Sequence, residues 1–222
     1  MPLRLLGGVA VCVRAEGELP EALRREYKDL DVVTGRSSSG ATAKLLRDAG
    51  YAPHVAFNAM NSKERMLFFD EPHGRQVDVF VGSFRMCHEI PLEQRLTVDG
   101  ATVPLAELLL TKLQIIELNE KDVRDTVALF HSHDLTEDDT GVSAHRVAEL
   151  CACDWGLWRT ITANLESVRS RVHGYALDTC DSVESRIDRL QQRIEAEPKS
   201  RAWRMRARVG ERKRWYELPE EV

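Results

Sequence analysis

The chain has 222 residues, 43% of them hydrophobic and 30% charged, with a formal net charge of −5. This is the composition of a soluble globular chain, long enough for one large domain or for a domain with a substantial extension. The acidic balance gives no whole-molecule attraction to nucleic acid. No apolar run approaches the roughly 20 residues that a membrane helix needs, so no membrane partner is expected. The start, MPLRLLGGVAVCVRAEG, lacks the basic head and small-residue cleavage site of a secretory leader. Cys12, Cys87, Cys151, Cys153 and Cys180 make an odd set without framework spacing. Reduced thiols and a cytoplasmic location follow.

Residues 3–6 (LRLL) read as a short buried strand ending at Gly7-Gly8, and residues 9–15 as a helix. Residues 16–24 carry Gly17 and Pro20 and read as a loop. Residues 30–34 form the next strand, 35–40 (GRSSSG) a polar turn, and 41–49 a helix closed by Gly50. Three more strands are predicted, over 54–58, 65–70 and 76–81, with Pro72-His73-Gly74 as the turn between the last two. The order β-α-β-α-β-β-β predicts an α/β (α+β) core, a small mixed sheet with helices packed on it, over residues 1–104.

Residues 105–222 change character and read as a helical C-terminal region. Helical spacing runs over 105–130 with a break near Asn119, and residues 131–141 (HSHDLTEDDTG) read as an acidic loop. Three helices follow over 143–151, 155–172 and 182–196. In residues 202–218, Trp203, Met205, Ala207 and Val209 alternate with arginines before Gly210-Glu211, which predicts a basic terminal β-hairpin.

The chemistry concentrates in three places. Gly7-Gly8 ends a strand and opens a helix, a geometry that lets a phosphate approach the backbone. Asp29 and Asp31 share one face of their strand, while Leu30 and Val32 take the other. Asp78 sits in QVDVFV, again an acid among apolar residues. Carboxylates gathered on one face repel unless a cation offsets them. Three of them on two neighbouring strands suit two Mg²⁺ ions, which clamp the attacking and leaving oxygens of a phosphoryl-type displacement.

These parts, in this order, resemble the DNA polymerase β-like nucleotidyltransferase superfamily. The residues that carry the resemblance are Leu6-Gly7-Gly8, Asp29-Leu30-Asp31 and Val77-Asp78-Val79. The chain looks most like uncharacterised bacterial nucleotidyltransferase-like proteins, and more distantly like the abortive-infection nucleotidyltransferase toxins. For the toxins' later lysine and acidic helix motif, Leu110-Thr111-Lys112 and Lys121-Asp122-Val123-Arg124-Asp125 are the equivalents. The likeness covers residues 3–130. It departs from minimal members in the long spacing, about 20 residues, between the glycines and Asp29. It also begins almost at the first strand, without an N-terminal helix common in relatives.

By this resemblance, Asp29 and Asp31 would bind Mg²⁺ (or Mn²⁺) bridging the triphosphate of a nucleoside triphosphate (NTP) co-substrate. Asp78 would hold a second ion and help deprotonate an acceptor hydroxyl. Gly7 and Gly8 would cradle phosphates, and Lys112 would reach them as a point charge. The implied reaction transfers a nucleoside monophosphate to a hydroxyl of tRNA, protein or a small molecule. A toxin role is fold-level analogy. The competing classes are a non-catalytic nucleotide sensor and an RNA-interaction module built on the basic hairpin.

Other groups read more plainly. Asp122 and Asp125, one helical turn apart, suit a solvated face paired with Lys121 or Arg124. His131-Ser132-His133-Asp134 and Cys151-Ala152-Cys153 match no zinc spacing. Cys87 and His88 are adjacent in sequence and do not aim at each other. Trp155, Trp158, Ile161 and Leu165 follow the spacing of a packed helix face. Arg201, Arg204, Arg206, Arg208, Arg212, Lys213 and Arg214 lie among Trp203, Trp215 and Tyr216, a mixture suited to nucleic acid.

Overall fold

The computed structural model describes residues 1–15 and 17–218; Glu16, in the predicted loop, lies outside the described residues. The fold is mixed α/β. The chain divides into two compact units. One comprises Met1–Arg14, Arg25–Phe84 and Glu89–Pro104; the other comprises Ala15–Arg24, Arg85–His88 and Leu105–Val222. Among the described residues, no helix is long and apolar enough to cross a membrane. All five cysteines are free thiols.

The first unit is built on a five-stranded sheet. Its strands are β1 (Leu3–Leu6), β2 (Asp29–Thr34), β3 (Ala52–Pro53), β4 (Arg65–Asp70) and β5 (Arg75–Val81), in the order β1-β2-β5-β4-β3. β2 runs parallel to β5, and the other neighbours pair antiparallel. β4 and β5 form a hairpin whose turn needs Gly74 at φ +62°. One face of the sheet carries Val32, Met66, Phe68, Val77, Val79 and Val81, which pack with Ala43 and Leu46 of α2 (Ser39–Asp48). These are alternate residues of β2, β4 and β5, so pleating turns the intervening residues to the opposite face. That opposite face holds the aspartates.

Two elements of this unit differ from the sequence expectation. α1 (Gly7–Arg14) starts at the first glycine, directly after β1. The strand expected over 54–58 is instead the two-residue β3 followed by α3 (Val55–Asn61). His54 caps that helix, its Nδ1 accepting from the Phe57 N–H at 3.2 Å. The Asn58 side chain pairs with both backbone groups of Leu67, donating at 2.9 Å and accepting at 2.7 Å. A side chain therefore fills the ladder positions that a longer strand would have taken. Val55 and Met60 are left exposed, which a sheet-facing strand would not tolerate.

After β6 (Ser83–Arg85) and β7 (Glu89–Pro91), a short pair, the second unit is mainly helical. Its helices are α4 (Leu105–Leu113), α5 (Glu120–Ser132), α6 (Ala144–Cys153), α7 (Trp155–Arg169), α8 (Cys180–Ala196) and α9 (Arg201–Val209). Asn119 caps α5, which explains the break there. Asp154 caps α7 through Gly156 and Leu157, and Ser143 caps α6. β8 (Leu135–Thr136), inside the acidic loop, pairs parallel with β9 (Val142–Ser143), directly after it. Leu108, Phe130, Val147, Ile161, Leu165 and Ile187 are fully buried at the centre of the bundle.

The expected terminal hairpin is not formed: Arg201–Val209 is the helix α9. Arginine, alanine and methionine are good helix formers. Ser200 accepts from the Trp203 N–H at 3.0 Å as an N-cap, and Gly210 at φ +58° ends the helix. A strict alternation of apolar and basic residues would suit a strand, but nothing in RAWRMRARV except Val209 is β-branched. The inward side joins an aromatic cluster. Trp203 meets Trp158 edge-on at 5.2 Å, Arg206 lies 4.7 Å over Trp155, and Trp215 meets Trp155 at 6.0 Å.

His88 is buried in this unit. Its Nε2 shares a hydrogen bond of 2.9 Å with the Thr160 hydroxyl, and its backbone N–H donates to Gln114. Burial pushes its pKa below the ordinary 6.5, against the opposing pull of Asp154 and Glu217. A histidine held neutral in the fold binds its proton first in the unfolded chain. Its contribution is therefore present above the unfolded value and is lost as pH falls. The melting temperature should drop as pH is lowered from about 7.5 to about 5.5. In His88→Gln the slope should be shallower, with a residual slope from His131, whose pKa is lowered by burial and by Arg186. Thermal melts across that pH range check this.

Candidate active site on the aspartate face

The parallel register of β2 and β5 sets Asp31 directly beside Asp78, and Asp29 beside Gln76. Neighbouring strands lie about 4.8 Å apart, so the Asp31 and Asp78 side chains rise from the same face as immediate neighbours. Burial is graded along the pair: Asp29 is exposed, Asp31 half-buried and Asp78 only 4% exposed. On the other side of Asp31, β1 ends at Leu6, its ladder partner, and the next residue begins α1.

That junction explains the glycine pair. Gly7 has φ +66°, and a Cβ there would fall inside the Asp31 carboxylate. At Gly8 a Cβ would collide with the guanidinium of Arg25. Arg25 itself lies 4.3 Å above the Tyr27 ring. The two glycines thus let a carboxylate and a guanidinium come against the start of a helix, where backbone N–H groups and the helix dipole favour negative ligands.

Asp78 is not left as a bare acid. Arg65 approaches its Oδ1 with Nε and Nη2, each at 2.6 Å, and the Gln76 side chain donates to its Oδ2 at 2.8 Å. The Arg65 guanidinium is itself held near two rings, 5.3 Å from the Phe80 centroid and 5.8 Å from that of Phe57. Among the described residues, no three His, Cys, Asp or Glu side chains converge to hold a metal ion. Asp29 and Asp31 offer hard oxygen donors of the kind that divalent cations take. At Asp78 the position of a counter-cation is filled by Arg65.

Lys112 belongs to the second unit. Its Nζ lies 2.8 Å from Asp125 Oδ2 and 3.4 Å from Asp122 Oδ1, with Asp125 only 2% exposed as a side chain. Asp122 and Asp125 therefore do not form the solvated face expected of them. They converge on a lysine that is itself 12% exposed. The first unit thus gathers Gly7, Gly8, Asp29, Asp31 and Asp78, while Lys112 has an ion-pair role of its own.

Sequence reasoning did not find Arg65, Gln76 or Arg25. A signal existed for one of them. An acid buried in VDVF demands a charged or polar partner, and Gln76 shares its face two residues earlier. Arg65, at the head of the next strand, becomes a partner only once the β4–β5 register is known. Comparison of the chain with protein-family models, curated proteins and solved structures returned no match.

Gly7→Ala should destabilise the protein more than Gly74→Ala. Both glycines have similar positive φ, but a Cβ at Gly74 meets nothing within 4 Å. The left-handed conformation alone costs roughly 1–2 kcal/mol, so Gly74→Ala measures that term. The excess for Gly7→Ala in urea unfolding measures the displacement of Asp31.

Proposed function

We propose that the aspartate face is a metal-assisted nucleotidyl-transfer site, and that the chain is a divergent relative of the DNA polymerase β-like nucleotidyltransferases. The observation that carries this reading is the Asp31–Asp78 pairing beside a glycine that opens a helix. Asp29 and Asp31 would hold Mg²⁺ or Mn²⁺, which supplies charge neutralisation for a bound triphosphate. The backbone at Gly7-Gly8 receives phosphate oxygens, and Arg25 adds positive charge beside it. In the transfer, the acceptor hydroxyl oxygen bonds to the α-phosphorus and its proton leaves to water. The bond from the α-phosphorus to its bridging oxygen breaks, and pyrophosphate departs with the electron pair. The chain's contribution is positioning and electrostatics. The acceptor is a hydroxyl of tRNA, protein or a small molecule, and a tRNA acceptor would make the protein toxin-like.

The test uses the purified protein, Mg²⁺ and each α-³²P-labelled NTP over RNA, protein and small-molecule extracts. Label should reach one fraction with the wild type and fall by about 100-fold or more with Asp29→Ala/Asp31→Ala. Nucleotide binding that needs no Mg²⁺ and gives no turnover would instead make the protein a nucleotide sensor. Absence of both transfer and Mg²⁺-dependent nucleotide binding would remove the reading.

A second reading is favoured by one surface. On α9, Arg201, Arg204 and Arg208 are exposed at helical spacing, and Arg212, Lys213 and Arg214 continue the run. No carboxylate among the described residues pairs with these six. Arg206 differs, donating to the carbonyls of Gly210 and Lys213. Trp203 and Trp215 are committed to the aromatic cluster, so this surface offers charge rather than stacking. We propose that it binds the phosphate backbone of RNA. Binding of a single-stranded RNA oligomer, followed by anisotropy, should weaken with salt. Replacing Arg201, Arg204 and Arg208 by Gln should reduce the log–log salt slope by about 2, at roughly 0.7 for each phosphate no longer neutralised. A slope unchanged by the three replacements would remove this reading.

A further inference from the structure

We propose that the C-terminal segment 213–217 is a proton-sensitive strap, latched across the start of α7 through Trp215 and Thr160 and opened by protonation of His88. The device lies wholly within the second unit and stands apart from the nucleotidyl-transfer and RNA-binding readings.

A small set of contacts holds the segment. The Trp215 indole N–H donates to the Thr160 hydroxyl at 3.2 Å, and its ring meets that of Trp155 edge-on. The Glu217 N–H donates to the Cys87 carbonyl at 3.0 Å, and the Lys213 carbonyl accepts from Arg206 at 2.6 Å. Gly156, in the first turn of α7, makes the crossing possible: a Cβ there would lie 2.6 Å from the Trp215 carbonyl oxygen. Trp215 is half-buried, whereas Lys213, Arg214 and Glu217 are exposed. A segment with so little buried surface opens before the bundle beneath it does.

The placing of one proton makes the strap a switch. An indole N–H only donates, so the Thr160 oxygen accepts from Trp215. Among the described residues the Thr160 side chain has one other partner, His88 Nε2 at 2.9 Å. The single hydroxyl proton therefore goes to that nitrogen, and His88 is the neutral tautomer with its own proton on Nδ1. A second proton would enter at Nε2 and face the hydroxyl proton. The hydroxyl would then have to turn its proton away, leaving a donor without an acceptor in a buried place. One of the two links opens to relieve this, and Trp215, on an exposed terminal segment, is the partner free to move.

The surroundings of His88 set the sign. Burial disfavours the charged ring and outweighs two carboxylates that favour it, Asp154 before α7 and Glu217 on the strap. Glu217 also lies 3.7 Å from Arg85, and the neighbours Gln114 and Thr160 are uncharged. Opening the strap brings water to the ring, so the open form binds the proton more tightly and acid favours opening. Opening also frees the chain on either side of the basic residues Lys213 and Arg214.

The experiment is hydrogen exchange on the full ¹⁵N-labelled chain, read by NMR as protection factors of the Trp215 indole and the Glu217 amide. From about pH 7.5 to about pH 5.5 both should fall about fivefold; a histidine titrating near 6.5 in the open form can give at most about tenfold. Protection at Leu165 and Ile187 should stay at least about 100-fold higher, which marks the opening as local. His88→Gln should keep the strap closed and reduce the pH effect to less than about twofold. Thr160→Val should lower protection at both pH values and remove the difference between them, while Thr160→Ser should restore wild-type behaviour. If His88→Gln fails to fold by circular dichroism, the two Thr160 variants decide. Protection that does not change with pH in the wild type, or changes equally in His88→Gln and Thr160→Val, would overturn the inference. Strap protection equal to that of Leu165 and Ile187 would also overturn it, because the segment would then open only with the whole unit.

Discussion

Two carboxylates set side by side across a parallel strand pair are the constraint on which the first unit is arranged. Asp31 and Asp78 share a register position in β2 and β5. At roughly 5 Å and an effective dielectric constant near 20, two like charges repel by about 3 kcal/mol. A protein domain is stable by only about 5–15 kcal/mol in total, so the arrangement needs compensation. The fold supplies it. Asp78, the buried member, receives Arg65 and Gln76. Asp31, nearer the surface, lies against a glycine at the start of a helix.

The two faces of the sheet divide the labour. The face with Val32, Met66, Phe68, Val77, Val79 and Val81 is covered by α2 and provides the apolar burial that holds the strands together. Because pleating alternates the side chains, the same short runs place acids on the other face at no cost to that core. A slip of one residue in β5 would put Asp78 among the valines and Phe68, so the buried face also fixes the register of the acidic one. The geometry of the site is therefore a consequence of packing on the side away from it.

How much of this is legible in the sequence follows from which signals are local. Alternation in DLDVV and QVDVFV marks the strands and the facing of the acids. Gly7-Gly8 after LRLL marks the strand-to-helix junction. Residues 54–58 and 202–209 mislead because short stretches of mixed apolar and polar residues fit both periods. The decision lies in single capping side chains, His54 and Ser200, and in Asn58 reaching the backbone of Leu67. Arg65 cannot be read as a partner of Asp78, since the sequence does not state how β4 and β5 are registered.

The second unit shows the same rule applied to a lysine. Lys112 follows a leucine run on α4 and, in sequence, reads as a charge waiting for a phosphate. It is nearly buried, and Asp122 and Asp125 of α5 both point at it. A charge on an apolar helix face must bring its own counter-ions, and two acids one turn apart on the facing helix provide them. The chemically suggestive residues of this chain thus fall into two groups. Lys112, Asp122, Asp125, Asp78 and Arg65 neutralise one another within their own units. Asp29, Asp31, Gly7 and Gly8 lie where burial falls away along the same sheet, beside the start of a helix.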